Sequence, residues 1–272
     1  MKPTVIAFIL AACFYSCASP DKKPAIAADD KKKDSVPVAT DTSVAQAQPQ
    51  TQQSNTTFFL NQERLTIPPY GLEKVKTLTA HVKYVEDGEQ GTDSLDQRVY
   101  DSLSLREKFT YHMVHPESYS QNCDGLPAHP DEANRIYGYL PDIYGEFDWS
   151  EKQLAFLKNN RDSVDAMMKE LIVKEGRVGE NFREAIVEMN ATEMIPTLID
   201  FARTETEDHY TLTTLMLLMG RNKFPEFMSS SSYQKLYDRE EGERVAYLVY
   251  NKANEELIIQ RATHFYNGLS SK

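Results

Sequence analysis

Residues 18–57 contain no aromatic side chain and few aliphatic ones, and this stretch limits where the chain can fold. Alanine, glutamine, threonine, serine, aspartate, lysine and proline dominate it. Such a composition cannot bury enough apolar surface to offset the entropy lost on ordering. We therefore predict a separate segment over 1–16, a disordered linker over 17–57, and a globular domain over 58–272. The last region is long enough to build a hydrophobic core.

The first sixteen residues have the pattern of an export signal. Lys2 gives a positive start, and residues 4–16 are an almost unbroken run of thirteen apolar or small residues. That length is typical of the apolar part of a secretory signal peptide, and it is too short to cross a bilayer as a helix. A buried N-terminal helix is the alternative, but the polar residues that follow offer nothing to cover it. We predict a signal peptide over 1–16.

Two cysteines lie near the end of this run. Cys13 follows the sequence LAA at 10–12, and Cys17 follows Ser16. A signal that ends in a small residue and then cysteine resembles the lipobox of bacterial lipoproteins. The resemblance implies that the thiol receives diacylglycerol, that the signal is cut just before the cysteine, and that the new amino terminus is acylated. Cys13 matches the common pattern better, but Cys17 leaves a signal of more typical length. We expect lipidation at Cys17, with Cys13 as the alternative.

A lipidated cysteine of this kind would be a stable membrane anchor. Each buried methylene contributes about 0.8 kcal/mol, so one acyl chain binds marginally while two hold firmly. A diacylglyceryl cysteine carries two chains, and a palmitate on the amine would add a third. As a loose coil, a linker of this length would span roughly 35 Å root-mean-square. We expect a protein of the bacterial cell envelope, at the outer membrane or facing the periplasm, with its domain held off the surface.

Charge and composition exclude several classes of protein. The chain carries 30 Lys and Arg against 41 Asp and Glu. The linker is neutral, with five lysines and five aspartates, so the domain over 58–272 holds 24 basic and 36 acidic residues. That balance argues against a nucleic-acid binder, and three cysteines are too few for a disulfide scaffold. We find no Gly-rich phosphate loop, Gly-x-Ser-x-Gly or dinucleotide fingerprint, so we expect no cofactor.

Apolar residues recur at three- and four-residue spacing and predict an all-α domain. Neighbouring helices with short links would form an array of antiparallel hairpins. An α-solenoid such as a HEAT-repeat protein is an alternative arrangement, although we find no self-similar period of roughly 34 to 47 residues. Short strands are expected only at 58–60 and 65–67. The predicted helices cover residues 72–85, 104–114, 131–140, 150–175, 182–189, 192–204, 209–219 and 243–267.

Two of these helices have clear start signals. Ser104 and Glu107 have the spacing of a capping box, which predicts a helix that runs to Val114 and stops before Pro116. Asp148 or Ser150 begins the long helical run, with an interruption near residues 159–160.

The segment 116–149 does not fit the helical pattern. It is rich in proline, glycine and aromatic residues, and long irregular segments in compact domains often carry function. Tyrosine and tryptophan rings stack on sugars or grip peptides, although the same rings also attach loops to helices. The rings of a candidate ligand cleft are Tyr119, Tyr137, Tyr139, Tyr144 and Trp149.

Four side chains in or beside this segment are of types that zinc accepts: His112, His115, Cys123 and His129. Their spacing matches no standard zinc motif, so they are weak candidates and we expect no metal. Cys123 could also be a nucleophile, but no flanking signature of a cysteine hydrolase is present. We expect Cys123 to be buried and unreactive.

These observations together favour a non-enzymatic envelope lipoprotein. Its helical domain would bind another protein or organise the envelope. The alternative is an envelope hydrolase or a glycan-binding protein that uses the segment 112–149. The charged runs at 205–208 and 238–241 are interpreted as solvated helix ends.

Overall fold

The computed structural model describes residues 64–87, 90–120, 131–206, 208–237 and 246–269. All of them belong to one unit of the chain, Gln50–Lys272. The predicted signal peptide, Cys13, Cys17 and the linker lie outside the described residues, as do Cys123 and His129.

Helices account for most of the described chain. In chain order they are α1 (Leu72–Thr79), α2 (Gln97–Asp101), α3 (Leu105–Val114), α4 (Glu151–Asn159), α5 (Arg161–Glu175), α6 (Glu180–Met189), α7 (Ile195–Ala202), α8 (Tyr210–Arg221), α9 (Pro225–Met228), α10 (Ser231–Tyr237) and α11 (Lys252–Leu269). Within the described ranges, no helix is both long enough and apolar enough to span a bilayer.

Short strands form two antiparallel sheets beside the helices. They are β1 (Val85–Asp87), β2 (Gln90–Thr92), β3 (Ser118–Ser120), β4 (Arg135–Tyr137), β5 (Phe147–Asp148) and β6 (Tyr247–Val249). The first sheet has the order β1-β2-β3-β5, with Gly91 opposite Tyr119 and Tyr119 opposite Phe147. The second pairs β4 with β6, and Ile136 lies opposite Leu248.

The domain is therefore mostly helical, as predicted, but it is not all-α. Strands of two or three residues are too short to show the period-two alternation by which a strand is recognised in a sequence. Their partners are also distant along the chain, since Arg135 pairs with Val249. Local spacing of apolar residues carries no information about such pairing.

The predicted capping box at Ser104 is confirmed, and of the two starts left open for the next long helix, Asp148 and Ser150, the structure has Ser150. The Ser104 Oγ accepts a hydrogen bond from the Glu107 N–H (3.3 Å), and the Glu107 carboxylate accepts one from the Ser104 N–H (2.8 Å). Ser150 forms the same reciprocal pair with Gln153 at the start of α4. The predicted interruption is confirmed as well, because α4 ends at Asn159 and α5 begins at Arg161.

Three predicted helix ranges are wrong. The helix over 72–85 ends at Thr79, and the chain then enters β1. The helix over 131–140 is a short 3-10 turn, Glu132–Asn134, followed by β4, where Asp131 has a left-handed backbone with φ 55°. The last helix begins only at Lys252, because residues just before it pair as β6. Residues 65–67 are not a strand.

Helix α8 is the centre of the main hydrophobic core. Its sequence, YTLTTLMLLMGR, carries no charge before Arg221, so every face can be buried. Helices α6, α7 and α11 and strand β4 all pack against it. A smaller core lies between α1, α2 and α3 and contains Val75, Leu95, Tyr100, Leu103, Tyr111 and Val114. The two cores meet along α3.

Candidate functional site

Two of the predicted cleft residues, Tyr144 and Trp149, cap the C-terminal end of α3 with side-chain hydrogen bonds. The Tyr144 hydroxyl donates to the Met113 carbonyl (3.1 Å), and the Trp149 indole N–H donates to the His112 carbonyl (2.7 Å). Carbonyls in the last turn of a helix have no partner within the helix, so these two side chains satisfy them. Both rings are buried and contact each other edge to face. Neither can touch a ligand without leaving the core.

The other three predicted cleft residues lie elsewhere. Tyr137 is buried, with its ring parallel to that of Tyr210 at 6.1 Å between centroids. Tyr139 meets Tyr237 edge to face. Tyr119 lies on the four-stranded sheet. The structure thus distributes the five rings over the core, a helix contact and a sheet surface, and does not bring all five together around one cleft.

Tyr119 belongs to a row of three rings across the sheet, which we call the sheet aromatic row: Tyr84, Tyr119 and Phe147. Ring centroids are 5.6 Å apart between Tyr84 and Tyr119, and 5.3 Å apart between Tyr119 and Phe147. Gly91 makes this arrangement possible, because a Cβ atom there would lie 2.1 Å from the Tyr84 hydroxyl oxygen. Tyr84 is 44% exposed. The row therefore offers apolar surface to solvent.

His112, a weak metal candidate, is the centre of a buried hydrogen-bond network. Its Nδ1 lies 3.0 Å from the Gln153 side-chain nitrogen, and its Nε2 lies 2.9 Å from the Tyr100 hydroxyl. The Gln153 oxygen accepts hydrogen bonds from two backbone N–H groups, of Glu117 and Ser150, which fixes the orientation of the amide. Gln153 must therefore donate to Nδ1, and the proton of neutral His112 resides on Nε2.

This arrangement keeps His112 neutral. Burial, reinforced by the positive charges of Lys152 and Lys108, lowers the pKa of His112 to about 3. A proton on Nδ1 would also point at the amide hydrogens of Gln153. Both ring nitrogens are engaged inside the core, so His112 joins α3 to α4 and does not face a metal.

His115 lies at the edge of the same network. Its Nε2 is 2.5 Å from the Asp93 carbonyl oxygen, and its own carbonyl accepts a hydrogen bond from Gln153. In the part of the chain that the structure describes, no group of three His, Cys, Asp or Glu side chains has an arrangement that would hold a metal ion. Cys123 and His129 lie outside that part, so their role as ligands stays untested.

A second buried cluster was missed from the sequence. Arg183 in α6 is 5% exposed and pairs with Glu205 (2.7 Å) and Asp208 (3.0 Å). Burial disfavours the charge of Arg183, but these two carboxylates outweigh it and raise its pKa. The interpretation of residues 205–208 as a solvated helix end is therefore wrong for Glu205 and Asp208. A charged residue on the apolar face between Phe182 and Ile186 was the available signal.

Comparison with known proteins adds no information about function. No protein-family model matches the chain, and neither a curated protein nor a solved structure matches it.

Proposed function

We propose that the protein is a lipid-anchored lipoprotein of the bacterial cell envelope and that its domain binds another protein. The lipobox-like cysteine supports the anchor, and the aromatic-free linker supports a tether between anchor and domain. We further propose that α6, α7 and α8, joined by short connections, form an antiparallel helical array. The contacts of α8 with both α6 and α7 support this arrangement.

The observation that carries the binding proposal is the sheet aromatic row. Tyrosine is common in protein interfaces because its ring gives a large apolar contact and its hydroxyl stays hydrated. Tyr84 is the exposed end of the row, and exposed apolar surface beside further aromatic rings is typical of interaction surfaces. Gly91 has no side chain, so the Tyr84 ring can lie flat on the sheet instead of projecting freely.

The charge of the domain indicates the chemistry of the partner. Acidic residues exceed basic ones by twelve over 58–272. Asp148, Asp142 and Glu188 form one acidic cluster, and burial together with their negative charges raises the pKa of the adjacent Glu184 to about 8, so the field comes from these three and not from Glu184. A partner with lysine and arginine beside apolar side chains would be attracted by this field. We therefore propose a basic protein partner, whose affinity falls with salt.

The anchor is tested by replacing the candidate cysteines. Cys17→Ser should move the protein from the membrane pellet to the soluble fraction after cell breakage, while Cys13→Ser should leave it in the pellet. Release by Cys13→Ser alone would move the lipidation site to Cys13. Retention of both single variants in the pellet would count against a lipid anchor at either residue.

The interaction surface is tested by site-specific photo-crosslinking in cells. A photoreactive residue at Tyr84 should capture a defined partner, and the same residue at Val173, which is 71% exposed on α5, is the control. The captured protein, once purified, should bind the wild type more tightly than Tyr119→Ala. Its affinity should fall several-fold between about 50 and 300 mM salt. Equal capture at Tyr84 and Val173 would refute this surface.

An envelope hydrolase or glycan-binding protein remains the second candidate. Tyr119 and Phe147 lie in the segment 112–149, and partly exposed rings can stack on sugar faces. Calorimetry with cell-wall fragments separates the candidates. Heat that disappears in Tyr119→Ala would favour glycan binding, whereas no heat with any fragment would leave the protein-binding proposal.

A further inference from the structure

The start of α5 is joined to the end of α6 through Arg161. Its guanidinium donates hydrogen bonds to the Met189 carbonyl (3.1 Å) and the Asn190 carbonyl (2.8 Å). It also donates to both carboxylate oxygens of Glu193 in the turn before α7. Carbonyls at the end of a helix favour a positive charge, so Arg161 holds α5, α6 and the turn together.

Asp165 lies one helical turn after Arg161 and has an unusual environment. It is only 4% exposed, and neither carboxylate oxygen receives a hydrogen bond from an N–H or hydroxyl group in the described chain. The group within hydrogen-bonding reach is the carboxylate of Glu193. Asp165 is buried without a donor and has the partly exposed carboxylate of Glu193 within reach, so its ionisation is costly and the pair favours a proton on one carboxyl group.

The position of Arg161 decides which carboxyl group holds the proton. Desolvation opposes ionisation of Glu193, but hydrogen bonds from Arg161 and Asp165 outweigh it and lower the pKa of Glu193 to about 2. Burial, together with the hydrogen bond to Glu193 and the charge of Glu193, raises the pKa of Asp165 to about 8. A proton held by Asp165 would make Asp165 the donor and Glu193 the acceptor of a hydrogen bond between them.

Few other charges act on this pair. Lys169, one turn further along α5, favours ionised Asp165 and is outweighed by burial. Asp162 acts on Arg161 from the same helix. The Met189 and Asn190 carbonyl groups contact Arg161 from the end of α6. The Glu193 carboxylate contacts Arg161 from the turn before α7.

We propose that Asp165 and Glu193 share one proton and that its loss loosens the joint between α5, α6 and the turn before α7, which makes this joint a pH-sensitive latch. With the proton in place, the joint has one negative charge that Arg161 balances. Without it, two carboxylates in contact face one arginine. The latch is closed in neutral surroundings and opens in alkaline ones.

The latch is tested by hydrogen–deuterium exchange on the full-length protein in nonionic detergent. After correction for the intrinsic pH dependence, peptides from 161–175 and 180–193 should lose protection about tenfold between pH 6.5 and 9.5. Asp165→Asn keeps a donor toward Glu193 but has no proton to lose, so its protection should stay level. Glu170→Gln changes an exposed carboxylate elsewhere on α5 and should behave as the wild type. Equal pH dependence in the wild type and Asp165→Asn would overturn the latch.

A second measurement keeps the proposal testable if Asp165→Asn does not fold. In the wild-type protein labelled at aspartate side-chain carboxyl carbons, nuclear magnetic resonance should show a carboxyl group that titrates near pH 8. Titration of every aspartate below pH 5 would overturn the shared proton.

Discussion

Gln153→Leu is expected to destabilise the domain by about 3–5 kcal/mol, because one amide serves four buried or half-buried partners. Its oxygen accepts from the N–H groups of Glu117 (2.9 Å) and Ser150 (3.2 Å). Its nitrogen lies against His112 Nδ1 (3.0 Å) and the His115 carbonyl (2.8 Å). Leucine fits a helix and fills similar space, so the change removes hydrogen bonds without a large cavity.

The size of this destabilisation follows from the polar groups that lose their hydrogen bonds to Gln153. Each buried polar group that loses its partner costs roughly 1–3 kcal/mol. Partial relaxation at the Ser150 end and the apolar gain from leucine reduce the sum to about 3–5 kcal/mol. Domains of this size are stable by roughly 5–15 kcal/mol, so the variant should fold but unfold at much lower denaturant concentration.

Guanidinium unfolding followed by fluorescence measures this change directly. Trp149 is the single tryptophan, and its indole N–H is bonded to the His112 carbonyl, so its emission reports on the network. Gln260→Leu alters an exposed glutamine on α11 and should shift stability by less than about 0.5 kcal/mol. A Gln153→Leu variant within about 1 kcal/mol of the wild type would refute the reasoning.

Three further predictions concern other parts of the domain. Arg183→Met should cost about 3–5 kcal/mol in chemical unfolding, because it leaves the partly buried carboxylates of Glu205 and Asp208 without their cation, whereas Arg221→Met in a more exposed pair should cost less than about 1 kcal/mol. Gly71→Ala should lower the thermal midpoint, since φ there is +64° and a Cβ would lie 2.7 Å from the Glu107 Cγ; an unchanged midpoint would contradict this. The folded-state pKa of His112 is depressed to about 3, so the unfolded chain takes up its proton first and stability is lost as pH falls from about 6.5 toward 3. The difference in free energy of unfolding between the wild type and His112→Gln should decrease over that pH range. A constant difference would show that His112 does not cause the loss of stability.

Local signals in the sequence were enough to predict where several helices start. Ser104 with Glu107 and Ser150 with Gln153 each satisfy free N–H groups within four residues, so the sequence contains the whole interaction. The helical periodicity likewise predicted α6 and α8, whose apolar residues face the core.

The features that sequence reasoning missed depend on distant partners. Strand β4 forms only because residues 247–249 pair with it, and this overrides the helix that Asp131 suggested. Glu205 is partly buried because it pairs with Arg183, more than twenty residues earlier in the chain. Tyr144 and Trp149 were predicted for a cleft, but the unsatisfied carbonyls of Met113 and His112 draw them into the core.

The sheet aromatic row shows the same limit. Tyr119 was singled out from composition, but its neighbours are distant in sequence: Tyr84 lies just before β1 and Phe147 lies in β5. Only the register of β2 and β3 places Gly91 opposite Tyr119 and leaves room for the Tyr84 ring.

The intact mass of the protein extracted from membranes tests the central claim most directly. The account predicts a chain that begins at Cys17 and carries the mass of a diacylglyceryl group, with or without an added acyl chain. An unmodified chain that begins at Met1 and stays dissolved after cell breakage would contradict it.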